Sequence, residues 1–267
     1  MTKEPKDYVA ANRAAWDEVA PVHARQNQER LLAAFRRPGY SCLEPVETEL
    51  LREIGIEGRD TAQLCCNNGR EILSVKNLGA GRCVGFDFSA RFLEQARALA
   101  AAGGIDCDFV ETEITRVPRD YDAAFDRVLI TIGVLGWMPD LAAFFAVPAR
   151  LLRPGGLFFI HEHHPVLYMF EPSDPVDPPR LHYSYFNQGV YEDKDGLDYY
   201  GGSDYGARPN YWFPHKLSDL ITAALGQGLE LTHFEERPDE ISGLFSELGK
   251  AALRPPMSFT MLLRKKA

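Results

Sequence analysis

"TAQLCCNNGRE" (61–71) and "RCVGFDFS" (82–89) together decide how this chain folds. Each starts as a near-continuous apolar run and ends in a turn that opens a helix-like stretch. These are "GREILSVKNLG" (69–79) after the first and "SARFLEQARALAAAGG" (89–104) after the second. Apolar runs without alternation are strands buried on both faces, as in a parallel sheet covered by helices. Working outward, the alternation continues. "DCDFVET" (106–112) and "FDRVLITIG" (125–133) read as strands, "PDLAAFFAVPARLL" (139–152) as a helix, and "GLFFIHE" (156–162) as a further strand. Residues 60–162 are therefore expected to form a doubly wound α/β sheet. Ser89 caps its helix and glycines follow the helix end.

On the N-terminal side, Val9, Trp16, Val19 and Val22 fall at helical spacing within residues 6–35. They predict one or two helices, with Asn12 as a cap. "VETELLREIGI" (46–56) is another, so residues 1–58 read as an N-terminal helical segment. Residues 163–213 change texture: seven of the eleven tyrosines lie between 183 and 211, among many prolines and glycines. Disordered segments are poor in aromatics, so this is an ordered insertion of short strands or turns. "HKLSDLITAALGQG" then gives a helix, and "LELTHFEER" and "SFTMLLRKK" give two closing strands.

Composition narrows the function classes. The 267 residues, 45% hydrophobic and 25% charged, suit one domain with a full core. No apolar stretch approaches the ~20 residues of a membrane span. The five cysteines are odd in number, Cys65 and Cys66 are adjacent, and none has zinc-knuckle spacing. They read as reduced thiols of a cytoplasmic protein. A net charge of −9 argues against a nucleic-acid footprint and favours a small-molecule partner. The oligomeric state stays open, a homodimer included.

Ligands of open α/β sheets lie beyond the carboxyl ends of the strands. Asp87 closes the second strand, ~20 residues after the first loop, where a carboxylate can accept from both ribose hydroxyls. Phe88 beside it can lie on an adenine face. Helix capping and core packing are the plainer roles for these two. The arrangement suits NAD or S-adenosylmethionine. A pyrophosphate needs a glycine-rich cradle, and "CCNNGRE" keeps only Gly69. Asn67 and Asn68 tolerate left-handed backbone angles and can replace glycine in a tight turn. The loop can bind a nucleoside, not a pyrophosphate.

"QLCCNNG", "GFDFS", "FVETEI", "FDRVLITIGVLGWMPDL" and "RLLRPGGLFFIHEHHP", in that order, resemble the class I S-adenosylmethionine-dependent methyltransferases, nearest their small-molecule branch. The likeness covers roughly residues 10–165. It implies one methyltransferase domain over 1–267: a seven-strand Rossmann-like sheet, its last strand antiparallel, with the tyrosine-rich insertion as a lid. It also implies S-adenosylmethionine as cofactor and N- or O-methylation of a small-molecule acceptor. A non-catalytic S-adenosylmethionine-binding protein is the alternative, and an NAD(P)-dependent oxidoreductase a more distant one.

Residue by residue, the family's acidic–x–glycine–x–glycine–x–glycine loop falls on Gln63, Cys65, Asn67 and Gly69, with Asn68 inside it. Three of the four depart from the pattern. Asp87 and Phe88 match the ribose acid and its adenine neighbour. Glu113, with Ile114, falls near the adenine amino group. Ile132 and Gly133 pass under the methionine part, and His23 takes the place of a tyrosine over the cofactor.

Methyl transfer from a sulfonium is an in-line displacement, so the protein aligns the reactants and excludes water. A base is needed where the acceptor must lose a proton. "IHEHHP" ends the fifth strand at the expected acceptor mouth. Alternation puts His161 and His163 on one face and Glu162 on the other. Glu162, His163 and His215 are the catalytic candidates. A metal on His161, His163 and His164 is not expected, because no carboxylate pattern accompanies them. Trp137, Tyr191, Tyr200 and Tyr211 are candidate walls of the acceptor site, with packing as their plainer role.

Overall fold

The computed structural model describes residues 7–172, 178–187, 189–201 and 205–266. Six residues of the predicted 1–58 segment and nine of the predicted 163–213 insertion therefore lie outside the described residues. Helix α1 runs unbroken over Tyr8–Phe35. Asp7 caps it by accepting from the Ala10 N–H at 3.0 Å. Asn12, the expected cap, is instead buried within the helix. The reason is tertiary: its amide donates to the Tyr211 carbonyl at 2.9 Å and accepts from the Tyr211 N–H at 2.7 Å. Pro21 sits inside the helix and lacks the N–H that would meet the Asp17 carbonyl. Arg91 Nη1 donates to that carbonyl instead, at 3.2 Å. Helix α2, Pro45–Glu53, opens with proline at its first position, and Glu47 accepts from the Glu44 N–H.

The sheet comprises β1 (Thr61–Leu64), β2 (Cys83–Asp87), β3 (Asp108–Glu111), β4 (Phe125–Ile130), β5 (Leu152–His163), β8 (Leu229–Arg237) and β9 (Ser258–Lys265). Their order is β3-β2-β1-β4-β5-β9-β8. The last strand, β9, runs antiparallel to both neighbours, and the other paired strands are parallel. The expected seven-strand sheet is present, with its last strand reversed. Helices α3 (Arg70–Asn77), α4 (Ala90–Gly103), α5 (Leu141–Leu151) and α6 (Leu217–Gly226) cover its faces, and Ser89 caps α4 as expected.

Strand β5 serves two cores by alternation. Phe158 and Ile160 join Phe144, Phe145 and Met261 on the α5–α6 face. Phe159 joins Leu50, Leu51, Ile72 and Leu129 on the α2–α3 face. Each such fully buried phenylalanine contributes about 1.5–3 kcal/mol. Because β4 and β9 flank β5, its carboxyl end is held from both sides, with Glu162 opposite Phe259 and His163 opposite Ser258.

After β5 the chain makes a 3-10 turn, Pro165–Met169, and later a small antiparallel pair, β6 (Tyr191–Asp193) and β7 (Asn210–Trp212). A short helix, α7, spans Ser246–Lys250, too short to carry a helical period in the sequence. The insertion docks along α1. His23 Nε2 pairs with the Leu197 carbonyl at 2.9 Å, Gln26 donates to Asp198 and Gly201, and Arg208 pairs with Glu18 at 3.1 Å. Helix α1 in turn crosses the ends of β2 and β3: Asp17 accepts from the Ser89 hydroxyl at 2.6 Å, and Arg13 pairs with Glu111. Helix and insertion thus roof the carboxyl edge of the sheet together.

Candidate functional site

The loop after β1 has three residues in left-handed backbone: Cys65 (φ 54°), Asn67 (φ 50°) and Gly69 (φ 71°). These are the three glycine positions of the family pattern. Asn67 behaves as expected. Asn68 does not, since the left-handed partner is Cys65, a residue type with no preference for that region. Holding a non-glycine residue there costs roughly 1–2 kcal/mol. Such strain persists where the surroundings over-determine it, most often at binding sites. At Gly69 the requirement is also spatial, because a Cβ would lie 2.7 Å from Phe109 Cε1 and 2.9 Å from Ala96 Cβ.

Asp87 locks this loop. Its Oδ2 accepts from the Asn67 N–H at 2.8 Å and its Oδ1 from the Ser89 N–H at 2.9 Å. Each carboxylate oxygen keeps one lone pair for a further donor. Burial pushes the carboxyl up to about 6, and the backbone N–H groups of Ser89, Asn67 and Phe88 partly oppose this. Gln63, 2% exposed, donates from Nε2 to Thr131 Oγ1 at 3.1 Å, while its Oε1 is buried without a partner. That oxygen faces a fixed cost of about 1–3 kcal/mol unless a donor meets it. An ammonium group fits it.

The other cofactor candidates divide. Glu113 accepts from the Thr115 N–H at 2.9 Å and from the Thr115 hydroxyl at 2.5 Å, capping its own turn, while Ile114 packs in the core. Phe88 and Ile132 are half-buried beside the strand ends. Gly133 adopts φ 86°. His23 is fully buried between Trp16, Phe92, Tyr199 and Tyr200, and burial lowers its pKa.

At the end of β5 the structure gathers the three catalytic candidates around one small cavity, with Leu135, Tyr168, Phe213 and Leu220 among its walls. Glu162 is not available as a base. Its Oε1 accepts from the Gly133 and His163 N–H groups at 2.6 and 2.8 Å, and its Oε2 from Val134 and Leu135 at 2.7 and 3.1 Å. Four donors saturate the carboxylate, so it holds the loop after β4 in place. His215 donates from Nε2 to the Met138 carbonyl at 2.7 Å, which leaves Nδ1 as its basic nitrogen. Burial lowers the pKa of both His215 and His163. His161 belongs elsewhere: its Nδ1 pairs with buried Glu47 at 3.0 Å. His164 lies 3.0 Å from Glu236.

The tyrosines expected to wall the acceptor site do not line this cavity. Tyr211 is buried against Tyr8 and Asn12, and Tyr200 stands against His23 and Asn27. Tyr191 packs on Tyr183. Trp137 lies between Trp16 and Trp212 at centroid distances of 5.3 and 5.2 Å, joining α1, the loop after β4 and the insertion. Tyr168 and Phe213, which do line the cavity, were missed. Their apolar neighbours marked only burial, and nothing in the chain flags which buried aromatic faces a ligand.

Strand order, the reversed last strand, and the loop and acid at the ends of β1 and β2 define the class I S-adenosylmethionine-dependent methyltransferase fold. Residues 62–156 match the family described as methyltransferase domain, and the chain shares its fold with solved S-adenosylmethionine-dependent methyltransferases. It is 27% identical to methyltransferase phqN of Penicillium fellutanum over 160 residues, 55% of this chain and 48% of that one. It is 31% identical to a ubiquinone biosynthesis O-methyltransferase of Chelativorans sp. (strain BNC1) over 104 residues, 39% of this chain and 40% of that one. The chain thus spans less than half the length of these two curated relatives. The S-adenosylmethionine dependent methyltransferase of Mesorhizobium loti shares the fold with a TM-score of 0.59 at 21% identity, over 81% of this chain and 96% of that one. No helix among the described residues is long and apolar enough to cross a membrane.

Proposed function

We propose that this protein methylates a small-molecule acceptor, using S-adenosylmethionine held over the ends of β1 and β2 and an acceptor seated at the end of β5. The observation that carries the reading is the pairing of Asp87 with the left-handed 65–69 loop. Asp87 offers lone pairs for ribose hydroxyls, Gln63 Oε1 offers an acceptor for the ammonium, and Gly69 lets the loop pack directly on Phe109 and Ala96. The bound sulfonium would supply an electrophilic methyl group. The chain's own residues align and shelter it: α1 and the insertion form the lid, and Glu162 fixes the 133–135 loop between the two sites. His215 Nδ1 is the atom placed to take an acceptor proton, with its opposite nitrogen held by Met138. The relative named for ubiquinone biosynthesis supports a small acceptor.

Two measurements test this. S-adenosylhomocysteine should raise the melting temperature while NAD and NADP do not. An acceptor panel read by mass spectrometry should show an added methyl on at least one small molecule. Stabilisation by NAD equal to that by S-adenosylhomocysteine defeats the reading.

A further inference from the structure

At the amino edge of the sheet, opposite the cofactor loop, cations gather on one face. Cross-strand register sets Arg127 on β4 beside Leu157 on β5, Leu157 beside Arg264 on β9, and Arg264 beside Glu230 on β8. Directly opposed residues point to the same side of a sheet. The row therefore shares the α2–α3 face with Leu129, Phe159 and Leu262, each two positions along its strand. Arg127 and Arg264 stand two strands apart, about 9–10 Å between Cα atoms, and their side chains are long enough to converge over Leu157. With Lys265 and Lys266 they line an open groove of about 700 Å³. From Leu157 to His163 the strand rises about 20 Å, so this groove is separate from the site at the carboxyl edge.

The cations there are poorly matched. Glu230 is the one carboxylate among the groove's described residues, and its Oε1 already lies 3.8 Å from Lys266 Nζ. Lys265 donates to the Leu152 carbonyl at 2.7 Å. Arg264 is exposed, and neither it nor Arg127 forms an ion pair among the described residues. Arg127 gives its Nη groups to the carbonyls of Asp126, Ile54 and Gly55, and its Nε is buried without a partner. Burial, and after it the charge of Arg59, disfavours this guanidinium cation. Four cations against one carboxylate leave the groove at +3, in a chain whose net charge is −9. Such a local field attracts anions.

We propose that this groove binds a diphosphate group, either free or carried by a nucleotide. A single phosphate brings about two negative charges and leaves a cation unmet; a second phosphate supplies the rest. The group is compact, and its oxygens can meet both guanidinium forks, which bind phosphate in pairs of hydrogen bonds. The groove is larger than a diphosphate and leaves room for an organic part. It shares no residue with the cofactor or acceptor sites, so the assignment stands independently of methyl transfer.

Calorimetric titration of the full chain at low salt with pyrophosphate, ADP, phosphate or citrate tests the assignment, each with and without S-adenosylhomocysteine. Pyrophosphate should bind about tenfold more tightly than phosphate or citrate, and S-adenosylhomocysteine should leave that affinity unchanged. Arg264→Gln, at an exposed strand position, should weaken pyrophosphate about tenfold. Glu230→Gln removes the opposing charge and should tighten it about threefold, a gain that a misfolded variant would not show. Tighter binding of ADP than of pyrophosphate assigns the groove to a nucleotide, and equal or weaker binding assigns it to the free diphosphate. No saturable pyrophosphate binding, citrate binding as tightly, displacement by S-adenosylhomocysteine, or an unaltered affinity in Arg264→Gln would each overturn the proposal.

Discussion

At the end of β1, residues 65–69 take their shape from their own backbone angles, two of them in a region that side chains disfavour. Two strands across the order, at the end of β5, shape comes from one side chain: Glu162 reaches to residues 133–135 and takes up their N–H groups. The first region stores strain and is stabilised by Asp87 from the neighbouring strand. The second has no left-handed residue besides Gly133 and depends on a single carboxylate. A site shaped by backbone tolerates side-chain change so long as the angles are kept. A site shaped by one anion fails when that anion is lost.

The sharpest break of this contrast is Glu162→Ala. It leaves four buried N–H groups without acceptors, and we expect a loss of about 3–5 kcal/mol in urea denaturation. A loss below about 1 kcal/mol would mean the 133–135 loop is held by something else.

Asp87→Ala comes next. Removing acceptors for two ribose hydroxyls should weaken S-adenosylhomocysteine about 10²-fold in a binding titration. The pH dependence follows from the same carboxyl. With its value raised to about 6 by burial, Asp87 is an anion at neutral pH and gains a proton as the pH falls through 6. The anion is the better acceptor, so affinity should drop about tenfold by about pH 5, and Asp87→Asn should flatten that slope. An unchanged slope in the asparagine variant would assign the pH effect to another group.

Gly136→Ala probes the seam between the regions. The added Cβ would fall 2.0 Å from the Trp212 ring, so the insertion must shift, at about 1–3 kcal/mol by thermal or urea melting. An alanine variant as stable as the original would show that the Trp212 seat is soft. The smallest effect is expected at Cys65→Gly. Relief of left-handed strain is offset by the extra freedom of the unfolded chain, for a net gain of up to about 1 kcal/mol with cofactor affinity kept. A marked loss of affinity would give the Cys65 side chain a contact role.

Which parts of this protein its sequence settled alone follows from the range of the forces involved. Near-continuous apolar runs and a Ser89 cap depend on neighbours within a few residues, so strands, helices and their order were legible in "TAQLCC", "RCVGFD" and "GLFFIHE". The place of Asp87 at the end of β2 was legible because the strand signal stops there. The tertiary structure decided the rest, where partners lie far apart in the chain. Asn12 meets Tyr211 across 199 positions and His23 meets Leu197 across 174, which turned an expected cap and a cofactor candidate into clasps for the insertion. Glu162 gave up its place as a base to N–H groups that β4 delivers beside it. The proton position on His215 follows from the Met138 carbonyl, a contact that no spacing in the sequence encodes.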